Sequence, residues 1–364
     1  MSSTTTIPRR PASLMRRVAA TLLAAVTLSV AVACSSDDGE DAATATGDGD
    51  GNFPVTMEHV YGETVIPAKP EKIVTVGWMT HDIVAVLGVA PVGVDRTWGG
   101  DDEGFSPWFR HQVEDVIGGD MPEITNKDDG TLDIEEIATL EPDLILAPHS
   151  GVTDDEYAKL SRIAPTVAYQ KSPWMSGSWQ DLTGVVAKAL GEEGRVADLV
   201  SGTEDAMATE AAKYPNLKGA SFLYGLTFEG NGPEVGLYVS DDPRVAFLRE
   251  FGLVDSPNLA KELGLDKPDD FSGAVSLESI GKLDADLFVA WSSGPDYTEN
   301  TLENPAMARW SPIRDGRYCI LENEALAMAT NAPSPLSIRW ALDEGFLADL
   351  SEAVDGGAVV RANS

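Results

Sequence analysis

The sequence is poor in basic residues and in cysteine, and each shortage excludes a class of protein. It has 26 Lys and Arg against 59 Asp and Glu, a formal net charge of −33, whereas nucleic-acid binding requires basic patches. Two cysteines cannot form a disulfide framework or a cysteine-rich zinc site. Hydrophobic residues make up 43% of the chain, which is enough for folded cores. What remains is an acidic enzyme, or an exported binding or structural protein.

Recognisable catalytic motifs are also missing. The sequence has no Gly-x-Ser-x-Gly elbow, no P-loop and no dinucleotide-binding glycine pattern. Its four histidines, at 59, 81, 111 and 149, include no pair at metal-ligand spacing, and we expect surface or capping positions for them. His81 and His149 could instead hydrogen-bond a ligand. A secreted hydrolase that uses paired carboxylates stays open as an alternative.

The first residues predict export and lipidation. Four arginines at 9, 10, 16 and 17 precede the apolar run Val18–Ala33, a pattern typical of a signal peptide at residues 1–33. Ala31-Val32-Ala33-Cys34 resembles a bacterial lipobox, although leucine is usual where Ala31 stands. We therefore expect a lipid on Cys34, a flexible tether at 34–53 and a location on the extracytoplasmic face of the cell membrane. An ordinary signal peptide is the alternative. Cys319 is predicted to be a buried core thiol.

From Lys72 onward, short β-rich runs alternate with helix-like patterns. This alternation is typical of an α/β fold in which parallel sheets carry helices on both faces. The predicted strands are Ile73–Gly77, Val92–Val94, Leu144–Ala147, Thr166–Tyr169, Ser221–Leu226, Leu287–Ala290 and Tyr318–Leu321. The predicted helices are His81–Leu87, Asp154–Ile163, Pro243–Phe251, Leu277–Leu283 and Ser337–Leu350.

An internal repeat divides the folded part into two halves. Asp133–Ala147 recurs as Ser276–Ala290, and each copy has the pattern of an N-capped short helix followed by a buried strand. We therefore predict two lobes of similar design, at 54–180 and 219–355, joined by connecting helices at 181–218. Within this connection, Arg195–Lys213 is predicted to form one long helix, which would make a stiff hinge.

An ordered set of motifs resembles the ferric-siderophore and cobalamin class of substrate-binding proteins of ABC transporters, the class III periplasmic binding proteins. The similarity covers roughly residues 55–352. Its motifs are Pro70–Trp78, Leu87–Val94, Glu135–Leu146, Leu160–Val167, Leu283–Leu287 and Arg314–Tyr318. The segments around Trp78, Trp174 and Trp179 are especially similar to iron-siderophore lipoproteins of high-GC Gram-positive bacteria. The resemblance implies two Rossmann-like lobes joined by a connecting helix, with a cleft between the lobes for a ferric chelate. It also implies delivery of that chelate to an ABC permease.

Loops after the predicted strands are the expected ligand site, because ligands of open α/β sheets contact the carboxyl ends of the strands. Four of the eight tryptophans follow such strands, and flat aromatic walls with a few polar anchors suit a bulky chelate. The predicted ligand-binding residues are Trp78, Arg96, Trp98, His149, Ser150, Trp174, Met175, Phe228, Asn231, Trp291, Ser292 and Arg309.

The expected ligand is an iron(III)-siderophore of the hydroxamate type. A strongly anionic catecholate would need several arginines, and only four (at 96, 244, 309 and 339) lie near predicted loop ends. Each of the four is expected as a surface or ion-pair residue before it is expected as an anchor. Haem, cobalamin and zinc or manganese remain alternative cargoes, and a ligand-sensing receptor subunit is a third interpretation of the same fold. No cofactor and no resident metal are expected, and the protein is expected to be a monomer.

Glu135 and Glu278 occupy equivalent positions of the repeat, 143 residues apart. An acid in the first turn of a helix is favourable by itself, because it interacts with the helix dipole. The resemblance implies a further role, since relatives dock on permease arginines through a glutamate at this position of each lobe. A pseudo-symmetric pair of acids would match a pseudo-symmetric permease.

Overall fold

The computed structural model describes residues 53–127, 129–175, 177–230, 232–259 and 272–362, all of which belong to one compact unit, Gly49–Ser364. The signal peptide, Cys34 and Asn231 lie outside the described residues. An antiparallel hairpin of β1 (Val55–His59) and β2 (Gly62–Ile66) comes first, and the sequence analysis did not predict it.

The first half of the chain contains a five-stranded parallel sheet. Its strands are β3 (Ile73–Thr75), β4 (Gly93–Val94), β5 (Glu123–Ile124), β6 (Leu144–Ala147) and β7 (Thr166–Ala168), in the order β5-β4-β3-β6-β7. Every residue of β3, β6 and β7 is buried, as expected of a sheet covered on both faces. The predicted parallel sheet is therefore confirmed in this half.

Four α-helices accompany this sheet: α1 (Thr80–Val86), α2 (Pro107–His111), α3 (Ile134–Thr139) and α4 (Asp154–Leu160). Helix α2 continues as the π-helical segment Gln112–Ile117. The Asp133 side chain accepts a hydrogen bond from the Glu136 backbone, as the sequence predicts for the start of α3.

Two helices connect the halves: α5 (Trp179–Leu190) and, after a 3₁₀ turn at Glu193–Arg195, α6 (Val196–Ala211). Ser178 and Asp181 form a reciprocal capping box at the start of α5. Helix α6 has 16 residues and confirms the long helix predicted in this region.

The second half contains a sheet of seven strands within the described residues. They are β8 (Ser221–Leu226), β9 (Glu234–Tyr238), β10 (Val254–Asp255), β11 (Ser272–Ser276), β12 (Leu287–Trp291), β13 (Tyr318–Leu321) and β14 (Val359–Arg361). The order is β11-β9-β8-β12-β13-β14, and β10 pairs with β8. The expectation of a purely parallel sheet is wrong here, because β9 runs antiparallel to both of its neighbours.

In the described part of the second half, the α-helices are α7 (Pro243–Arg249), α8 (Pro295–Glu303), α9 (Ser311–Arg314), α10 (Glu324–Asn331), α11 (Pro335–Asp343) and α12 (Phe346–Val354). Short 3₁₀ turns lie at Pro215–Leu217, Ile280–Lys282 and Met307–Arg309. Together with the two sheets, they confirm the predicted α/β fold class.

Two predicted helices of this half are wrong in form. The repeat predicts a helix at Leu277–Leu283 capped by Ser276, but Ser276 ends strand β11 and only the turn Ile280–Lys282 follows. A glycine in this turn, Gly281, lowers helix propensity further. The predicted helix Ser337–Leu350 is divided into α11 and α12 at Gly345, whose φ of +84° does not occur within an α-helix.

One hydrophobic core runs through both halves. Ile73 of the first sheet and Leu287 of the second sheet belong to the same buried cluster. Helix α11 of the second half packs against α1, α2 and α6. The ring of its Trp340 lies 5.0 Å from the ring of Trp108 on α2. The halves are thus joined by side-chain packing as well as by the chain. Within the described residues, no helix combines the length and the apolar character that crossing a membrane requires.

Candidate functional site

The segments that follow the parallel strands β3 and β6 approach each other very closely, at Gly77 and His149. Gly77 has a φ of +88°, and a Cβ atom added to it would lie 2.2 Å from the backbone oxygen of His149, so only glycine fits. The next backbone NH, of Trp78, donates to the same oxygen at 3.2 Å. This backbone crossing places the side chains of Trp78 and His149 at the edge of the sheet, side by side.

The space between the two halves at this edge, which we name the aromatic cavity, has a volume of about 260 Å³. Its lining residues come from both halves: Trp78, His149 and Trp174 from the first, and Leu226, Tyr238, Pro243, Arg244, Trp291 and Asn331 from the second. The Trp78 and Trp174 rings are 5.1 Å apart, and the Trp98 ring meets Trp291 edge-on at 5.2 Å. The walls therefore consist mainly of aromatic faces.

Arg244 is the one cation among the residues that line the aromatic cavity, and it forms an ion pair with Asp242, which lies outside the lining. The carboxylate of buried Asp242 accepts two hydrogen bonds from its guanidinium, at 2.8 and 2.7 Å. The guanidinium lies over the Tyr238 ring, 3.8 Å from its centre, a cation–π contact. Burial works against this charge, but Asp242 outweighs it and the pKa of Arg244 is raised. Because Asp242 compensates the charge, the cavity walls carry little net charge.

His149 is a neutral polar group of the cavity. Burial, followed by the nearby charge of Arg244, lowers its pKa to about 4, so the imidazole is uncharged at neutral pH. Its ring lies edge-on to Trp174 at 5.7 Å, and its buried Nδ1 atom has no hydrogen-bond partner within the described residues. Tyr238, in contrast, accepts a hydrogen bond of 2.7 Å from the Trp291 indole NH.

The structure brings together part of the residue set that the sequence predicts for ligand binding. Four of them (Trp78, His149, Trp174 and Trp291) line the aromatic cavity, and Trp98 contacts it through Trp291. Sequence reasoning missed Leu226, Tyr238, Pro243 and Asn331, and it ranked Arg244 as a surface or ion-pair residue before an anchor. The signal for Arg244 was the sequence Asp242-Pro243-Arg244. It is an N-cap before a proline-initiated helix, with an arginine beside the predicted loop.

Other predicted residues lie elsewhere. Ser150 and Ser292 are buried, and their hydroxyl groups donate to backbone oxygens nearby in the chain. Ser150 donates to Ala147, and Ser292 donates to Gly294. Arg96 is exposed, while Met175 and Phe228 are partly buried outside the cavity lining. The remaining residues of the prediction, Arg309 and the two glutamates, are on the outer surface.

A second cavity, which we name the outer cavity, has a volume of about 500 Å³ and lies in the second half. Glu278 and Arg309 both line it, together with Trp310 and neighbouring apolar residues. Arg309 therefore does not share a cavity with the tryptophans predicted to bind the ligand, contrary to the expected arrangement. Glu135 is exposed as the second residue of α3, whereas Glu278 lies in the turn before Ile280–Lys282.

Three of the histidines do not have the expected surface positions. His59, His81 and His149 are buried, and only His111 is exposed, beside Asp115 at 2.8 Å. The described residues contain no group of three or more His, Cys, Asp or Glu side chains placed to hold a metal ion. Cys319 is a buried free thiol, as predicted.

A two-lobed α/β fold with an aromatic cavity between its halves defines a solute-binding protein. The chain belongs to the periplasmic binding protein family, whose sequence profile matches residues 73–324. The resemblance indicated by the sequence motifs is thereby confirmed.

Three individual proteins illustrate the similarity. The chain is 27% identical to the "Probable siderophore-binding lipoprotein YfiY" of Bacillus subtilis strain 168 over 267 residues, which cover 70% of this chain and 74% of that protein. It is similar to the crystal structure of PiaA from Streptococcus pneumoniae TIGR4 in complex with ferrichrome, with 31% identity, a TM-score of 0.75 and coverage of 83% of this chain and 99% of that one. A periplasmic solute binding protein from Mycobacterium smegmatis matches with 28% identity, a TM-score of 0.67 and coverage of 82% and 98%.

The backbone crossing that presents Trp78 depends on a buried carboxyl group. Asp95, at the end of β4, accepts a hydrogen bond of 2.7 Å from the Gly77 NH, and Thr125 donates to its other oxygen at 3.5 Å. Burial raises the pKa of Asp95 from 3.8 to about 6, although these two donors work in the opposite direction. The folded protein therefore binds this proton more tightly than the unfolded chain.

This shift makes a prediction about stability and pH. Because the native pKa is raised, Asp95 lowers the stability of the wild type as pH rises from about 4 to about 6, and the loss then stays constant. Asp95→Asn keeps an acceptor for Gly77 without the charge. We expect this variant to be more stable than the wild type by roughly 1–3 kcal/mol at pH 7, and to lose that advantage near pH 4.

Urea unfolding of both proteins from pH 4 to pH 7 measures this difference. The control is Thr125→Val, which removes the second hydrogen bond but keeps the carboxyl group. Because that bond lowers the pKa of Asp95, the control should keep a pH dependence of the same sign as the wild type and of at least the same size. An Asp95→Asn stability difference that does not change with pH would contradict the assignment.

Proposed function

We propose that this protein captures an iron(III)-siderophore of the hydroxamate type and delivers it to an ABC permease for iron uptake. The observation that carries the proposal is the aromatic cavity, with one arginine whose charge is compensated by Asp242. A ferric trihydroxamate is electrically neutral, because three monoanionic groups balance the metal, and it needs flat apolar walls more than it needs cations. A ferric tris-catecholate carries three negative charges, which a single compensated arginine cannot balance.

The size of the aromatic cavity indicates how such a ligand would sit. Its volume of about 260 Å³ is at the lower end of small-molecule sites, so the metal-centred part of the chelate would fill it and the periphery would project from the cleft. Arg244 and His149 are the polar anchors that we assign to the oxygen atoms of the chelate. The ferrichrome bound to PiaA and the siderophore-binding name of YfiY support this ligand class.

Direct titration tests the ligand class. We expect ferrichrome or ferrioxamine to quench the tryptophan fluorescence of the delipidated protein at low concentration, while a ferric tris-catecholate, ferric citrate, haem and cobalamin leave it unchanged at the same concentration. The reason is the neutral, aromatic lining, in which four tryptophans lie in or beside the cavity. Quenching by the tris-catecholate and not by the hydroxamates would overturn the proposal.

A matched pair of arginine variants locates the site in the same assay. Arg244→Gln combined with Asp242→Asn removes the buried ion pair without leaving a lone charge, and should raise the Kd for ferrichrome about tenfold, the loss expected for one charged hydrogen bond. Arg309→Gln changes a cation of the outer cavity and should leave the Kd unchanged. Equal effects of both changes would show that the aromatic cavity is not the ligand site.

We assign permease docking to Glu135 and Glu278, which are exposed at equivalent positions of the two repeat copies. Charge reversal at both, Glu135→Lys with Glu278→Lys, should abolish siderophore uptake by cells while the Kd of the purified protein stays that of the wild type. Asp205→Lys, at an exposed site of the connecting helix α6, is the control and should not affect uptake. Loss of ligand binding in the double variant, or normal uptake, would refute the assignment.

The proposed delivery also requires the protein to stay at the membrane, and we assign this role to a lipid on Cys34. Cys34→Ala should move the exported protein from the membrane fraction to the soluble fraction, because one acyl-modified residue is then replaced by an unmodified one. Cys319→Ala changes the other cysteine, which is buried, and should leave the fractionation unchanged. Membrane retention of Cys34→Ala would contradict the predicted lipobox.

A further inference from the structure

We propose that Asp82 is a positioning residue that holds the two sides of the aromatic cavity at a fixed spacing. Asp82 itself does not line the cavity. The role in ligand capture rests on the function proposed above, whereas the role in spacing does not.

A single carboxylate oxygen of Asp82 joins three segments of the chain. Oδ2 accepts a hydrogen bond of 2.8 Å from the Trp108 indole NH and one of 2.7 Å from the Ser334 hydroxyl. All three side chains are buried, with exposed fractions of 1% for Asp82, 6% for Trp108 and 0% for Ser334. Asp82 and Trp108 belong to the first half and Ser334 to the second, 252 positions further along than Asp82. The Ser334 bond therefore crosses between the halves in a place that water does not reach, while the Trp108 bond joins α2 to α1 within the first half.

Each of these segments leads directly to the cavity from the first half or the second. Asp82 lies on α1, four positions after Trp78. Trp108 lies on α2, which follows the loop that carries Trp98. The Trp98 ring contacts the Trp291 ring at 5.2 Å. Fixing α1 and α2 to a common acceptor therefore fixes the loops that carry the aromatic walls of the first half.

The third segment carries a wall of the second half. Ser334 lies three positions after Asn331, which lines the cavity and accepts a hydrogen bond of 3.1 Å from Tyr224. Ser334 is also the N-cap of α11, since its hydroxyl oxygen accepts the Ser337 NH at 3.0 Å while its hydrogen is donated to Asp82. A hydroxyl group that serves both as a cap and as a donor has little freedom to move, so the position of α11 relative to α1 is determined closely.

The geometry also predicts which substitution of Asp82 preserves this function. Both donors reach the same oxygen. Among the residues that the structure describes, Oδ1 has no hydrogen-bond partner, although His81 Nε2 is 3.4 Å away. Asp82→Asn can place its amide oxygen where Oδ2 stands, and its NH₂ group then points toward His81. Asp82→Leu has a similar volume and no acceptor, so it breaks both bonds.

Two measurements on the delipidated protein test the proposal, and neither depends on the other. Spin labels at Asp155→Cys and Glu299→Cys, exposed positions on α4 and α8, report the distance between the halves without ligand, and buried Cys319 should not react. Fluorescence titration reports the Kd for ferrichrome at a temperature where circular dichroism shows that each variant is folded.

We expect one narrow distance distribution for the wild type and for Asp82→Asn, with Kd values within twofold of each other. Ser334→Ala and Asp82→Leu should broaden the distribution. Ser334→Ala should raise the Kd by up to about tenfold, because one lost hydrogen bond can lower the population of the binding-competent spacing by that factor. Ser256→Ala is the matched control, because it also removes a buried serine hydroxyl. This hydroxyl donates to the backbone oxygen of Asp284 at 2.8 Å, a bond that lies within the second half. Ser256→Ala should lower the melting temperature without changing distance or Kd.

A narrow, wild-type distance distribution in Ser334→Ala would overturn the proposal, even if its melting temperature falls, because the bond would then be merely structural. If Asp82→Leu does not fold, Ser334→Ala and Asp82→Asn carry the test. If the wild type does not bind ferrichrome, the proposed function fails, while the distance measurement still decides the role of Asp82.

Discussion

The aromatic cavity depends on one backbone contact, the close approach of Gly77 to His149. A side chain at Gly77 would collide with the His149 oxygen at 2.2 Å, and the Trp78 NH bonds to that oxygen. Strands β3 and β6 therefore end at the same level of the sheet, and the loops that follow them begin beside each other. Asp95 extends the contact to β4 by accepting the Gly77 NH. Three parallel strands thus end side by side, and the cavity residues Trp78 and His149 follow two of them, β3 and β6.

The electrostatic design separates the exterior from the interior. The chain carries a formal net charge of −33, yet the aromatic cavity has one cation, paired with Asp242, and one neutral histidine among its titratable lining residues. In an apolar cavity an uncompensated charge would be costly, and each ligand charge would need a partner. Shape and aromatic contact, which depend little on ionic strength, are therefore suited to select the ligand, while the acidic surface is left for solubility and for contacts with other proteins.

Patterns local in sequence were predictable, and contacts between distant segments were not. Ser221–Leu226 is an uninterrupted apolar run and is found as strand β8. Strand β9 was missed because Pro233 precedes it and Gly236 interrupts it. Its close approach to β8 requires the glycine at Gly225, where an added Cβ would lie 2.3 Å from the Gly236 oxygen. Tyr238, at the end of β9, was missed with it. The tryptophans were identified because each follows a predicted strand.

Polar loop residues were harder to assign than tryptophans. Sequence cannot distinguish a serine that faces a ligand from one that satisfies its own loop, and Ser150 and Ser292 are of the second kind. The continuous core has a different consequence. Ile73 and Leu287 lie in one cluster, and α11 packs across the boundary. The halves that the internal repeat suggests are therefore not interchangeable modules. A chimaera that exchanges one half with a relative would have to carry the complementary surface of α11 with it, because each half completes the core of the other.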